Sequence, residues 1–314
     1  MKPVLFSELS AQFPDCNYIG KKDGHISKTI SLDEGLSKDC SEYVGWINDK
    51  NSAVIQPRQL KFGLLILSES AYQNLKTAEC NFFISPNPRS TFAKIISLYF
   101  HQSRIEKIEK TAQISDTSRI GKNCYIGHHV VIEENCTIGD NTTIMHNTVI
   151  MAGTKIGNHV RIGCNSTIGN YGFGYEKDDS GDYQLLEHLG KVVIHDNVEI
   201  HNNTCIDRGM LGITEIHENV KIDNLVHIAH GVVIERNALV IAHAMVGGSV
   251  RIGESAWIAP SVAIKNQIKI GKETMTGIGA VILKDTKEKS VMIGNPAITM
   301  EEHKKWSETR KKLS

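Results

Sequence analysis

The chain has 314 residues, with 35 basic and 35 acidic side chains and a formal net charge of zero. That balance excludes a basic nucleic-acid footprint and a polybasic membrane-binding segment, although a local patch can still hold an anionic small ligand. Hydrophobic residues at 40% and aromatics at only 6% predict a soluble chain whose core is filled by Ile and Val.

Residues 1–12 carry a single Lys and no long apolar run, so they do not read as a secretory signal. No stretch approaches the roughly 18 apolar residues of a membrane span, so no membrane insertion is expected. The seven cysteines, at 16, 40, 80, 124, 136, 164 and 205, are odd in number and form no C-x-x-C pair. Reduced structural thiols in a cytoplasmic protein are the expectation.

Residues 1–104 show short β-like runs (52–55, 62–66, 81–84) alternating with helix-like stretches at 70–77 and 90–100. They predict a small N-terminal α/β domain. Ser90-Thr91, following Asn87-Pro88, reads as a helix cap. The charged segment 104–110 links this domain to the next.

From Ile114 an isoleucine recurs every six residues through Ile168. After a break of about twenty residues the rhythm resumes at Ile194, Ile200 and Ile206. A four-residue insertion follows, and the series then runs from Ile216 to Ile282. Of 25 such positions 24 are aliphatic, Thr276 being the exception. Neither a helix period of 3.6 nor a simple strand period of 2 generates this register. A period of six fits a parallel β-helix in which each hexad is one flat side and three hexads make an 18-residue coil. Residues 105–298 then form about eight coils. Each fully buried Ile adds roughly 1.5–3 kcal/mol of transfer free energy, so the column is an ample core. Glycines after the Ile (Gly121, Gly127, Gly139, Gly157) are expected where corners need a permissive backbone. Residues 299–314 read as a short charged C-terminal helix.

The hexad resembles that of the left-handed parallel β-helix acyltransferases. With an α/β domain in front, the chain resembles the UDP-3-O-(3-hydroxyacyl)glucosamine N-acyltransferases of lipid A synthesis. Asn87-Pro88 with Thr91-Phe92-Ala93-Lys94, the loop Gly172-Phe173-Gly174-Tyr175, Ile206-Asp207-Arg208-Gly209, and Ile222-Asp223-Asn224 with Ile228-Ala229-His230 match that family in order. The resemblance implies a left-handed helix, a homotrimer with sites at subunit boundaries, and an acyl-carrier-protein donor. The chain departs from the pattern at Tyr171, Gly212-Ile213, Gln267 and the ending Gly294-Asn295-Pro296-Ala297. Those departures are closer to the related anthrose-type N-acyltransferases, which modify an amino group on a nucleotide-linked deoxysugar. On that basis acyl-CoA is the expected co-substrate and a nucleotide-linked amino sugar the acceptor.

Amide formation from a thioester needs a base, an oxyanion donor and positioning. In the matched motif His230 is the expected base. Gly248, 18 residues on, is expected one coil away, where its N–H can hold the oxyanion. His227 or His243 can hold the base's tautomer or line the donor channel. Asp223 and Asn224 either bind the sugar or orient His230, or else close the Asx-turns such residues favour. Asp207 and Arg208 either pair with each other or contact sugar phosphates. Trp46, with Asn48 or Asp49, is the candidate for stacking on the nucleotide base. Phe173 and Tyr175 are lid contacts on the loop 172–189. Arg251, Lys265 and Lys284 are the cations available to coenzyme A phosphates. His128, His129, His146, His159, His195, His201 and His217 sit at repeat positions and read as turn or stacked-face residues. No metal is expected: His227 and His230 at i, i+3 do not share a face in a β-helix, and no Cys accompanies them.

Overall fold

The computed structural model describes residues 3–21, 24–36, 39–100 and 106–294, together with Met300 and Thr309. The chain divides into two compact units, Met1–Ser103 and Arg104–Ser314. The helix expected over 299–314 lies outside the described residues except at those two positions.

The first unit is built on a five-stranded sheet in the spatial order Asn17–Ile19, Phe82–Ile84, Phe62–Leu67, Cys40–Trp46, Lys28–Thr29. The central strand Phe62–Leu67 is buried at every residue, as a strand covered on both faces must be. Two expectations fail here. Residues 52–55 are not a strand: Ser52 ends the short helix Asp49–Ser52, whose first turn is closed by the Asn48 side chain accepting from the Asn51 N–H. The 90–100 helix begins earlier, at Pro88, and its cap is Asn87, which accepts from the Ser90 N–H at 3.2 Å. Proline supplies a fixed φ at a position whose N–H has no helical partner, so the helix starts on it.

The second unit is a left-handed parallel β-helix. Its three flat walls are named in chain order. Wall 1 has ten strands, wall 2 nine and wall 3 eight, so the stack reaches about nine coils rather than eight. The difference lies at the ends: the stack starts at Lys107–Ile108 and closes on Val291–Met292. Register follows the 18-residue coil, as in Ile120↔Ile138 and Val246↔Ile264. Two insertions interrupt it, so that Ile168 pairs with Ile206 and Ile206 with Ile228. The usual right-handed rule rests on a helix packing back over a sheet. Here a four-residue corner makes each connection from Ile108 to Ile282 outside the two insertions, and that reason does not apply.

Every repeat position from Ile126 to Ile282 is at most 5% exposed. A second inward column lies two residues earlier on each strand approach: Val130, Thr142, Thr148, Ser166, Thr204, Val226, Ala244. Its hydroxyls donate to carbonyls of the next coil, Thr142 to Gly157 at 3.0 Å and Thr204 to Asp223 at 2.9 Å, so small polar residues are satisfied inside. The corner conformation differs from expectation. Positive φ falls on residues such as Asn123, His129, Asn141 and Ser255, and not on Gly121, Gly127, Gly139 or Gly157; of the glycines after a repeat Ile, Gly169 alone takes it, at the start of the 168–194 excursion. Gly121 is required for room: a Cβ there would lie 2.7 Å from the Asp140 amide nitrogen.

Candidate active site

Coil topology gathers the chemistry-bearing residues on the edge between walls 2 and 3. The wall 2 strand His227–Ile228 leads into His230, and Met245–Val246 into Gly248, with Ile228 paired to Val246. The 168–194 excursion leaves from this edge, after Thr167–Asn170, and returns to wall 3 at Lys191–Ile194. Its outer part is a hairpin pairing Tyr175–Lys177 with Tyr183–Leu185.

A Cβ on Gly248 would stand 2.7 Å from Nε2 of His230. Only glycine fits beneath the imidazole, and the buried Gly248 N–H has no hydrogen-bond partner among the described residues. On its other side His230 meets the loop: a Cβ on Gly172 would come within 3.1 Å of its Cβ and Cδ2. Burial holds the His230 pKa below its ordinary value, and the neighbouring His188 adds to the effect.

His188 carries no signal in the repeat. It is 1% exposed, and its ring lies 5.3 Å from that of His230, centroid to centroid. Its Nδ1 is 2.8 Å from the Leu186 carbonyl, which assigns the proton to Nδ1 and leaves Nε2 an acceptor. That Nε2 is buried without a partner among the described residues. The residue sits in the break between repeats, where no periodicity marks it.

Asp207 and Arg208 do not act as a pair. Arg208 donates to the carbonyls of Gly169 and Ala152 and stacks over Tyr171, 5.6 Å from the ring centre. Asp207 instead faces His227 Nε2 at 3.7 Å. Burial pushes the Asp207 carboxyl up to about 7 and His227 down. The contact distance is that of an ion pair, but both shifts favour the uncharged forms, and the shared burial makes a neutral contact the better description.

Asp223, Asn224 and His243 stand on a different edge, between walls 1 and 2. Asp223 accepts from the Asn224 N–H at 2.7 Å and the Ala242 N–H at 3.2 Å, while Asn224 accepts from Asn202. Corner closure therefore occupies these oxygens. His243 is an exposed left-handed corner residue whose N–H donates to the Asn224 carbonyl. The wall 2 strands His227–Ile228 and Met245–Val246 lie between these corners and the one that carries His230. Within one chain this separates the three residues from the edge that carries His230.

Arg251, Lys265 and Lys284 are exposed and flank the wall 2/wall 3 edge in the coils beyond Gly248. Phe173 and Tyr175 lie 5.0 Å apart on the loop, Phe173 87% exposed. In the first unit Trp46 is half-buried and lines a cavity with Leu32, Asn48, Asn51 and Phe92. All seven cysteines are free.

Fold and repeat together define a hexapeptide-repeat β-helix. Residues 111–143 and 135–170 match the family described as Bacterial transferase hexapeptide (six repeats). Curated relatives include a UDP-3-O-acylglucosamine N-acyltransferase of Wolinella succinogenes, 34% identical over 45% of this chain and 43% of that protein. Another, from Caulobacter sp. strain K31, is 36% identical over 42% and 38% respectively. The matches thus span less than half the length of these relatives. Among solved structures, LpxA, a UDP-N-acetylglucosamine acyltransferase from Bacteroides fragilis 9343, is similar at TM-score 0.52 and 30% identity, covering 57% of this chain and 68% of that one. The UDP-N-acetylglucosamine acyltransferase from Campylobacter jejuni shares the fold at TM-score 0.55 and 22% identity, covering 65% of this chain and 83% of that one.

Proposed function

We propose that the chain is an N-acyltransferase that moves an acyl group from a thioester onto the amino group of a UDP-linked sugar. The observation that carries this reading is the His230 imidazole resting on Gly248. The amine nitrogen attacks the thioester carbonyl, a C–N bond forms, and the C–S bond breaks. The proton on nitrogen passes to His230 Nε2 and from there to the departing sulfur, the oxyanion is met by the Gly248 N–H, and the group leaves as a thiol. Burial, and then His188, disfavour the charged form of His230 and so favour the imidazole that can accept this proton. Arg208 and Tyr171 brace the base of the loop, and the exposed Phe173 and Tyr175 are placed to contact a bound ligand. Trp46 is the aromatic proposed for the nucleotide base.

The names of the curated relatives favour UDP-3-O-acylglucosamine as acceptor; an acyl-carrier-protein donor, which the resemblance to that family implies, is then proposed ahead of acyl-CoA. One feature speaks for acyl-CoA: Arg251, Lys265 and Lys284 line the same edge as His230, where phosphates can be met. In this reading the enzyme works as a cytoplasmic homotrimer. Among the described residues no helix is long and apolar enough to cross a membrane. The test supplies UDP-3-O-acylglucosamine with either 3-hydroxyacyl carrier protein or the matching acyl-CoA, and follows thiol release and product mass. N-acylated product with the carrier donor is expected. Turnover with acyl-CoA alone restores the other donor, and no product with either overturns the proposal.

A further inference from the structure

On the outer surface near the wall 3/wall 1 edge, away from the edge that carries His230, His195 and His217 stack with ring centroids 5.0 Å apart and planes 19° apart. Glu215 lies between them. Its Oε1 is 2.9 Å from His195 Nε2 and its Oε2 is 3.7 Å from His217 Nε2. One ligand atom from each residue falls within a 4.8 Å group, and all three side chains are about one-third exposed. The outward nitrogens also have neighbours: His195 Nδ1 faces Glu218 at 3.6 Å, and His217 Nδ1 faces Glu235 at 3.9 Å.

We propose that His195, Glu215 and His217 form a binding site for a first-row divalent cation of the zinc class. Two imidazoles and a carboxylate are a donor set such ions take, with a further position left for water. Donor atoms held tetrahedrally at about 2.1 Å lie roughly 3.4 Å apart, so a group spread over as much as 4.8 Å must draw in by about 1.4 Å. The outer carboxylates carry the argument further. Glu218 and Glu235 stand 3.6 and 3.9 Å from the two Nδ1 atoms, beyond hydrogen-bond length, and a small inward movement would let them accept from the Nδ1–H of a ligating imidazole. Without a cation the His195 Nε2–H donates to Glu215 at 2.9 Å; a bound cation takes the place of that proton, which leaves to solvent, and pairs the carboxylate with both imidazoles. Bound there, the ion ties two successive coils together just beyond the 208–212 insertion. In the sequence His195 and His217 read as stacked-face residues with no ligand set. Their 22-residue spacing, set by that insertion, hides their contact.

The chelator-treated full chain is titrated with ZnCl2 by calorimetry and with CoCl2 by visible absorption. One equivalent of Zn2+ per chain, a tetrahedral Co2+ spectrum and a Zn2+-dependent rise in Tm are expected. His217→Ala should abolish stoichiometric binding, and Glu235→Gln should weaken it about 10- to 100-fold. His128→Ala, in a separate stacked pair with His146, should leave binding unchanged. If His217→Ala does not fold, Glu215→Gln decides, since it keeps the shape and removes the charge. No stoichiometric uptake by the wild-type chain at micromolar metal overturns the proposal. Binding undiminished in His217→Ala or Glu215→Gln does the same.

Discussion

His230 and Gly248, one coil apart, are packed so closely that a single methyl group on Gly248 would sit 2.7 Å from His230 Nε2. The stack itself creates this contact. Ile228 and Val246 pair in register, and the two corner residues that follow them must therefore face each other. Gly248→Ala keeps the backbone N–H but drives the imidazole aside. A displacement of about 1 Å at a reacting group costs on the order of 10²-fold in rate. Steady-state kinetics should show that loss in kcat with little change in Tm; an alanine variant of full activity would break the link between the glycine and the base.

The pH dependence of kcat/KM reports the base in the free enzyme. Burial, and then His188, hold the His230 pKa below the ordinary 6.5, so activity should rise through an ionisation on the acid side of that value. His230→Ala should remove this limb and lose about 10²- to 10⁴-fold in rate. A limb at or above 6.5 in the wild type would assign it to another group.

Asp207 predicts a stability effect of defined sign. Its carboxyl titrates at about 7 when folded against an ordinary 3.8, so between those values the folded chain holds a proton that the unfolded chain has released. Stability contributed by this group is therefore present below about 4 and lost as pH rises toward 7. Asp207→Asn should abolish that slope and stabilise the protein near neutrality, by a few kcal/mol at most. Urea midpoints of both proteins at pH 5 and pH 8 measure it. An equal gain at both pH values would show that the carboxyl is not the cause.

Ile228 is fully buried, and its strand leads directly into His230. Ile228→Ala should cost about 2–5 kcal/mol through lost burial and the cavity left behind. Denaturant unfolding measures the cost. A loss under about 1 kcal/mol would mean that neighbouring coils collapse into the space.

The β-helix is legible in the sequence because its core is written as one residue type at one period. A buried wall tolerates little else at Ile132, Ile150 or Ile222, and the interruptions near 170 and 210 show as breaks in phase. The second inward column is hidden because Thr142, Ser166 and Ala244 look like surface residues. Only the carbonyls of the next coil make them suitable for the interior. Glycine misleads as well: Gly121 looks like a conformational need, whereas the Asn and Ser residues take the left-handed corners and glycine admits the next coil.

At the site, an 18-residue step finds His230 and Gly248, and that step holds wherever the coil is uninterrupted. Asp223, Asn224 and His243 are near His230 in sequence, yet a flat wall sends them to another edge, where corner hydrogen bonds occupy the two Asp and Asn side chains. His188 lies in the break and has no period to betray it.

The sequence alone therefore determined the architecture of the second unit, because a six-residue aliphatic period has one economical way to bury itself. It also determined that His230 would face Gly248. Tertiary structure decided which residues share an edge. Insertions change the stacking step, as in His195 over His217, and a loop folding back can place His188 beside His230. Such contacts depend on where the chain returns, which no local pattern encodes.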